Sequence, residues 1–222
     1  MRISVISAAG FVVASAVQAQ PVNLISQERF VFVGAQQDVP SASGFGRYQQ
    51  TESETVFSAF PSEVIVSASQ DSEFLGDVWT GEGSIATSGS RREGDIFTFQ
   101  ARSFQRIDFD VTSPIDARLI ASADFDTGIE IDGDVALFDV TSGGLDEVVS
   151  VTGVFQPSID RSFTLAPGQY RLLAFVDAFP QADFIGRVPI ELGYSFELRI
   201  PAPSSIAMLG AALLLTSTRR RK

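Results

Sequence analysis

Leu192-Gly193-Tyr194-Ser195-Phe196-Glu197-Leu198-Arg199-Ile200 decides the fold class. Its apolar side chains fall at every second position, with Gly, Ser, Glu and Arg between them. Successive side chains on an extended chain point to opposite faces, so this pattern gives one face for a core and one for water. Ile107, Phe109 and Val111 alternate with Arg106, Asp108 and Asp110 in the same way. Tyr170, Leu172, Ala174 and Val176 form a third such face after the turn Pro167-Gly168. Val135 to Val140 is apolar nearly throughout and reads as a central strand covered on both sides.

Further strands are expected at 29–33, 48–55, 64–69, 96–101, 117–123, 148–155 and 162–165. No stretch holds a helical period, and Gly, Pro, Asp and Ser punctuate the runs. Many short strands with frequent turns predict an all-β antiparallel β-sandwich spanning residues 20–200. Jelly-roll order is preferred over immunoglobulin order, since the chain has no cysteine and one tryptophan; a closed barrel is the alternative. The stretch Trp79 to Gly94, rich in Gly, Ser and Glu, reads as a long surface loop, or otherwise as a seam between two sections.

Composition narrows the chemistry. The chain of 222 residues contains no cysteine and no histidine, which excludes disulfides, thiolate or imidazole metal sites, and Ser-His-Asp or Cys-His catalysis. Its formal charge is −11, which argues against a nucleic-acid partner. With 19 phenylalanines and 45% hydrophobic residues it can fill a core. The phenylalanines are expected mostly at inward strand positions.

Both ends read as addresses. Residues 1–19 have a positive start at Arg2, an apolar run from Ile3 to Val17 and a small-residue exit at Val17-Gln18-Ala19. This order is that of a secretory signal, with signal peptidase cutting between Ala19 and Gln20. At the other end, Pro201-Ala202-Pro203 precedes an apolar segment, 206–218, and the basic cluster Arg219, Arg220, Arg221 and Lys222. Thirteen helical residues reach about 20 Å, against about 30 Å of hydrocarbon. The basic cluster is expected to stay cytoplasmic. Without both labels the body carries 11 arginines against 27 carboxylates, a net charge of −16.

This tail, residues 201–222, resembles the PEP-CTERM sorting signal, with Ala202 standing where that family has Glu. The resemblance implies an exosortase-like processing enzyme that removes the helix, transient membrane contact through the tail, and a destination in a cell envelope or matrix built with extracellular polysaccharide. More weakly, the layout around Leu165-Ala166-Pro167-Gly168-Gln169-Tyr170, with Tyr194 in a closing strand, resembles bacterial pre-peptidase C-terminal β-sandwich domains.

Two features point to chemistry in the body. Asp124, Asp126, Asp132 and Asp134, with Glu130 and Asp139, form an acidic cluster without an intervening Lys or Arg. Hard oxygen ligands suit Ca²⁺, and a solvated acidic loop is the other reading. Trp79, beside the Gly-rich stretch, either stacks on a sugar ring or caps the core. The function read from this is an exported, non-enzymatic envelope or matrix protein. A glycan-binding module, Ca²⁺-assisted or not, is the second reading. A glycoside hydrolase is the remote third, because no carboxylate pair stands out.

Overall fold

The computed structural model describes residues 21–34, 46–57, 63–90, 99–124, 131–152, 157–178 and 190–200. These residues form eleven strands and no helix: β1 (Val22–Val33), β2 (Tyr48–Phe57), β3 (Glu63–Leu75), β4 (Val78–Ser90), β5 (Ala101–Val111), β6 (Ile115–Asp124), β7 (Ile131–Asp139), β8 (Asp146–Val151), β9 (Ser158–Leu165), β10 (Gly168–Ala178) and β11 (Ile190–Arg199). They make two antiparallel sheets, ordered β1-β5-β10-β7-β8 and β2-β3-β4-β11-β6-β9. From β4 to β11, consecutive strands alternate between the sheets except at the β7–β8 hairpin. The resulting orders, β4-β11-β6-β9 facing β5-β10-β7-β8, are the winding of a double-sheet jelly roll. β1 extends one sheet beyond β5, and β3 with β2 extends the other beyond β4.

Period-2 alternation produces the core directly. β5 alternates buried and partly buried residues without a break, and β6 alternates buried with mostly exposed ones. Ile107 and Phe109 of β5 meet Leu172 and Tyr170 of the neighbouring β10 in register. Across the sandwich lie Leu119, Leu192, Phe196 and Leu198. Burying each such side chain contributes about 1.5–3 kcal/mol relative to leaving it exposed.

Of the run 79–94 expected as a surface loop, residues 79–90 belong instead to β4, thirteen residues long and paired with both β3 and β11, and 91–94 lie outside the described residues. Its inward positions are Trp79, Gly81, Gly83, Ile85 and Thr87. The glycines leave room for side chains from two directions, Gln105 and Ser103 of β5 on the opposing sheet and the rings of Phe196 and Tyr194 on the neighbouring β11. A Cβ on Gly81 would sit 2.5 Å from Gln105 Oε1 and from the Phe196 ring. One on Gly83 would sit 2.2 Å from Ser103 Oγ and 2.5 Å from the Tyr194 ring. Gln105 Nε2 donates to the Tyr194 hydroxyl at 2.9 Å, so the interior beneath these glycines holds a hydrogen-bonded polar pair.

The phenylalanines divide differently from the expectation. Among the described residues, Phe74, Phe99, Phe109 and Phe196 are buried. Phe30, Phe104 and Phe175 instead form one row on the outer face of the five-stranded sheet, half-buried, with Phe30 and Phe104 stacked at 4.8 Å.

All short turns lie at one pole: Gly76-Asp77, 112–114, 140–145 and 166–167. Both described termini leave there too. Thr112 N donates to Pro21 O at 2.9 Å, and Ile200 N donates to Asp77 O at 2.7 Å.

Gly83→Ala is expected to lower stability by about 1–3 kcal/mol, because Ser103 and Tyr194 must move. Gly144→Ala, whose nearest neighbour atom is Ser142 Oγ at 3.6 Å, is expected to change it by less than about 0.5 kcal/mol. Urea titrations of the two variants, compared at their midpoints, check this.

Candidate functional site

The outer face of the six-stranded sheet carries a polar trough of roughly 530 Å³. Strand register assembles it from two rows. Thr51, Ser69, Ser84, Gly193 and Asp124 stand side by side across β2, β3, β4, β11 and β6, and Gln49, Asp71, Glu82, Ser195 and Ser122 form the adjacent row. At about 4.8 Å per strand, five strands span about 19 Å. Short side chains make the floor. Gly193 cannot carry a longer one, since a Cβ there would lie 2.9 Å from Gly83 O. Gln49, Asp71, Glu82, Asp124 and Glu191 rise around the floor. A second depression of roughly 390 Å³ shares Asp71, Glu82 and Ser195 with the first and extends it past Thr80 and Glu73.

The hydroxyls are held in cross-strand pairs, Ser69 with Ser84 at 2.9 Å and Ser122 with Ser195 at 2.8 Å. One partner of each pair donates to the other, which leaves one hydroxyl hydrogen and several lone pairs turned to solvent. Arg47 Nε donates to Asp71 Oδ1 at 3.1 Å, and this hydrogen bond holds the Asp71 carboxyl below the usual carboxylate range. The trough thus offers hydroxyls, an amide, one guanidinium and mostly acceptor carboxylates. That set fits a ligand rich in hydroxyl or amino groups and disfavours an anion.

The acidic cluster is divided between the sheets. Asp124 ends β6 on the trough face, where register puts it beside Gly193. Asp132 and Asp134 lie on β7 of the other sheet, where register pairs them with Asp177 and Phe175. Asp126 lies outside the described residues. Among the described residues no three His, Cys, Asp or Glu side chains group so as to hold a metal ion. Asp134 is half-buried, and its Oδ1 is a buried atom without a hydrogen-bond partner among the described residues. Desolvation, followed by the charge of Glu147, pushes its pKa up to about 6.

Trp79 is 3% exposed, so it is not a sugar-stacking surface; its ring meets Phe109 edge-on at 5.1 Å. Tyr170 and Tyr194 are both core residues, with Tyr170 donating its hydroxyl to Ala166 O at 3.0 Å. Ala19 and Gln20, Pro201 to Pro203, the apolar segment 206–218 and Arg219 to Lys222 lie outside the described residues. None of the trough serines was singled out from sequence. Their signal is the outward half of each alternation, as in Gly193 and Ser195 of the deciding stretch.

No family model and no curated protein matches the chain. Among solved structures, a carbohydrate-binding module described within a β-sandwich superfamily is similar at TM-score 0.25 and 7% identity, over 82% of this chain and 87% of that one. A GH31 α-xylosidase from Xanthomonas citri is similar at TM-score 0.20 and 11% identity, over 83% of this chain and 28% of that one. Neither likeness carries an argument about ligand or reaction, so the trough's own chemistry is what bears on function.

Asp134 gives a pH dependence of defined sign. Its folded pKa is raised, so its contribution to stability is full below the ordinary carboxylate range and is lost as pH rises through about 6. Burial pushes Asp177 the same way. Asp71, Asp108 and Asp160 are lowered and act only at more acid pH. Wild type is therefore expected to lose more stability than Asp134→Asn between pH 5 and pH 7.5, flanking that value of about 6. Urea midpoints of both proteins at the two pH values check it.

Proposed function

We propose that the chain is an exported, non-catalytic β-sandwich of a cell envelope or extracellular matrix, and that its trough holds a neutral or amine-bearing polysaccharide. The observation that carries the ligand reading is the continuity of the two polar depressions across the six-stranded sheet. An open, elongated trough suits a polymer lying along the sheet, and paired serine hydroxyls with flanking carboxylates suit sugar hydroxyls. Anionic polymers are disfavoured by a body of 11 arginines against 27 carboxylates, a net −16.

Export and sorting rest on the two ends of the sequence. Signal peptidase cuts between Ala19 and Gln20. The tail resembling a PEP-CTERM signal holds the precursor in the inner membrane until an exosortase-like enzyme cuts near Pro201-Ala202-Pro203. The prolines favour an extended backbone there, which a protease cleft can accept.

Affinity electrophoresis through gels containing neutral, amine-bearing or anionic polysaccharides tests the ligand reading. A neutral or amine-bearing polymer is expected to retard the protein, and Ser195→Trp, which fills the trough from an exposed position, should weaken that retardation at least about tenfold, or 1.4 kcal/mol. Retardation by anionic polymers alone would overturn the reading. Release of new reducing ends from the retarding polymer would replace it with a hydrolase. Mass spectrometry of protein taken from the envelope tests the sorting. The expected form starts at Gln20 and ends near Pro201 to Ser205, and a form still ending at Lys222 makes the tail a simple anchor.

A further inference from the structure

β1 and β2 close one lateral side of the sandwich. Each is the outermost strand of its sheet, and the two touch across the edge. The eight-strand winding from β4 to β11 is complete without them. Residues 58–62 are the only covalent link between this N-terminal arm and the rest of the described body. Among the described residues the arm supplies Val31 and Val33 to the buried apolar core; Val22, Leu24 and Val56 pack only at its margin, and no residue of β2 is buried.

The seam between arm and body is largely polar. Arg29 of β1, 2% exposed, pairs in register with Gln105 of β5, and Gln50 of β2 pairs with Gln70 of β3. Arg29 Nη1 donates to Ser72 Oγ at 3.1 Å and to Gly46 O at 3.0 Å, and its guanidinium lies 5.0 Å from the Tyr48 ring and 4.9 Å from the Phe74 ring. Gln70 and Gln105 are 2% and 1% exposed. Both amide atoms of Gln27 and of Gln70, and Oε1 of Gln105, are buried without a hydrogen-bond partner among the described residues. Such atoms weaken a seam, because each has given up water for nothing. What holds the arm is mainly two backbone ladders, β1 to β5 and β2 to β3. A second copy of the chain offers the same two ladders.

We infer that the arm, residues 21–57, exchanges between copies: in a reciprocal dimer, β1 and β2 of each chain pair with β5 and β3 of the other. Both ladders and the side-chain contacts of the arm are remade in the exchanged form, so concentration decides between the two states. The inference is independent of the trough and of its ligand.

The test uses Ser53 and Ser67, register partners on the outer face of β2 and β3, in a protein with no cysteine of its own. Chains carrying Ser53→Cys and chains carrying Ser67→Cys are mixed, incubated at high concentration and treated with a short bismaleimide. Covalent heterodimers are expected, in clear excess over the homodimers of either chain alone. In the double variant, dilute protein should give bridges within one chain and concentrated protein bridges between two. Bridging the dilute double variant first should then keep it monomeric when concentrated. A variant-free arm mixes isotopically labelled and unlabelled wild type and reads mixed dimers by native mass spectrometry. Bridges within one chain at every concentration, or wild type that stays monomeric after concentrated incubation, would overturn the exchange.

Discussion

The two sheets close tightly over β4 because it has no side chains at two inward positions. Gly81 and Gly83 leave the space that Gln105, Ser103 and Tyr194 occupy, and a single added methyl group at either would overlap them. The consequence is a core with an unusual centre. Aliphatic and aromatic packing surrounds a hydrogen-bonded knot in which the buried Tyr194 hydroxyl accepts from Gln105 and lies 3.3 Å from Ser103 Oγ. Interiors are packed to crystal-like density, so a polar knot beneath these glycines fixes the register of facing strands more sharply than interchangeable leucines would. β4 and β11 carry this constraint on their inner side and the floor of the trough on their outer side. The flatness of that floor is set by the same short residues.

The two outer faces have been given different work by the same alternation. On the six-stranded sheet the outward positions near the trough are Ser, Thr, Gly and acids. On the five-stranded sheet they are phenylalanines bordered by ion pairs, Arg102 with Asp177, and Arg171 with Asp108 at 2.7 Å. A body this acidic gains little from such pairs individually where they are exposed. Across the described residues six of the eight arginines stand in such pairs, each with a carboxylate at its side that offsets its charge locally.

The deciding stretch could be read because Leu192 to Ile200 keeps large apolar residues on every inward position. Ile107 to Val111 and Tyr170 to Val176 were legible for the same reason. β4 was not, because its inward residues include two glycines and a threonine, and its alternation is visible only once Gln105 and Tyr194 are known to fill the gaps. Sequence leaves Trp79 between a sugar platform and a core cap, and its burial against Phe109 decides for the core. The phenylalanine row could have been read in part: with Ile107 and Phe109 inward, Phe104 falls on the outward half beside Arg102 and Arg106, as Phe175 does beside Arg171 and Asp177, and only at Phe30, where 30–33 is apolar on both halves, does alternation leave the face undecided. The trough lay beyond reach in a different way. Its rows join residues from Thr51 to Asp124 and Gly193, and lateral strand order is written in long-range pairing rather than in any local pattern. The acidic run shows the converse limit, since neighbours in sequence are parted by a change of sheet between β6 and β7.

The position of β11 has a mechanical meaning. It lies between β4 and β6, joined to them by ladders of ten and seven paired residues, and it runs directly to Ile200 at the pole where the described chain ends. A pull on the chain beyond Ile200 acts along the strand axis, so both ladders are loaded in shear and their hydrogen bonds share the force. An edge strand pulled sideways would instead open one bond at a time. Gly193 and Ser195 of the trough floor sit on this same strand. Tension between an object gripped in the trough and whatever holds the chain's end would therefore pass along β11 itself, without crossing the hydrophobic core and without loading the lateral wall that β1 and β2 form.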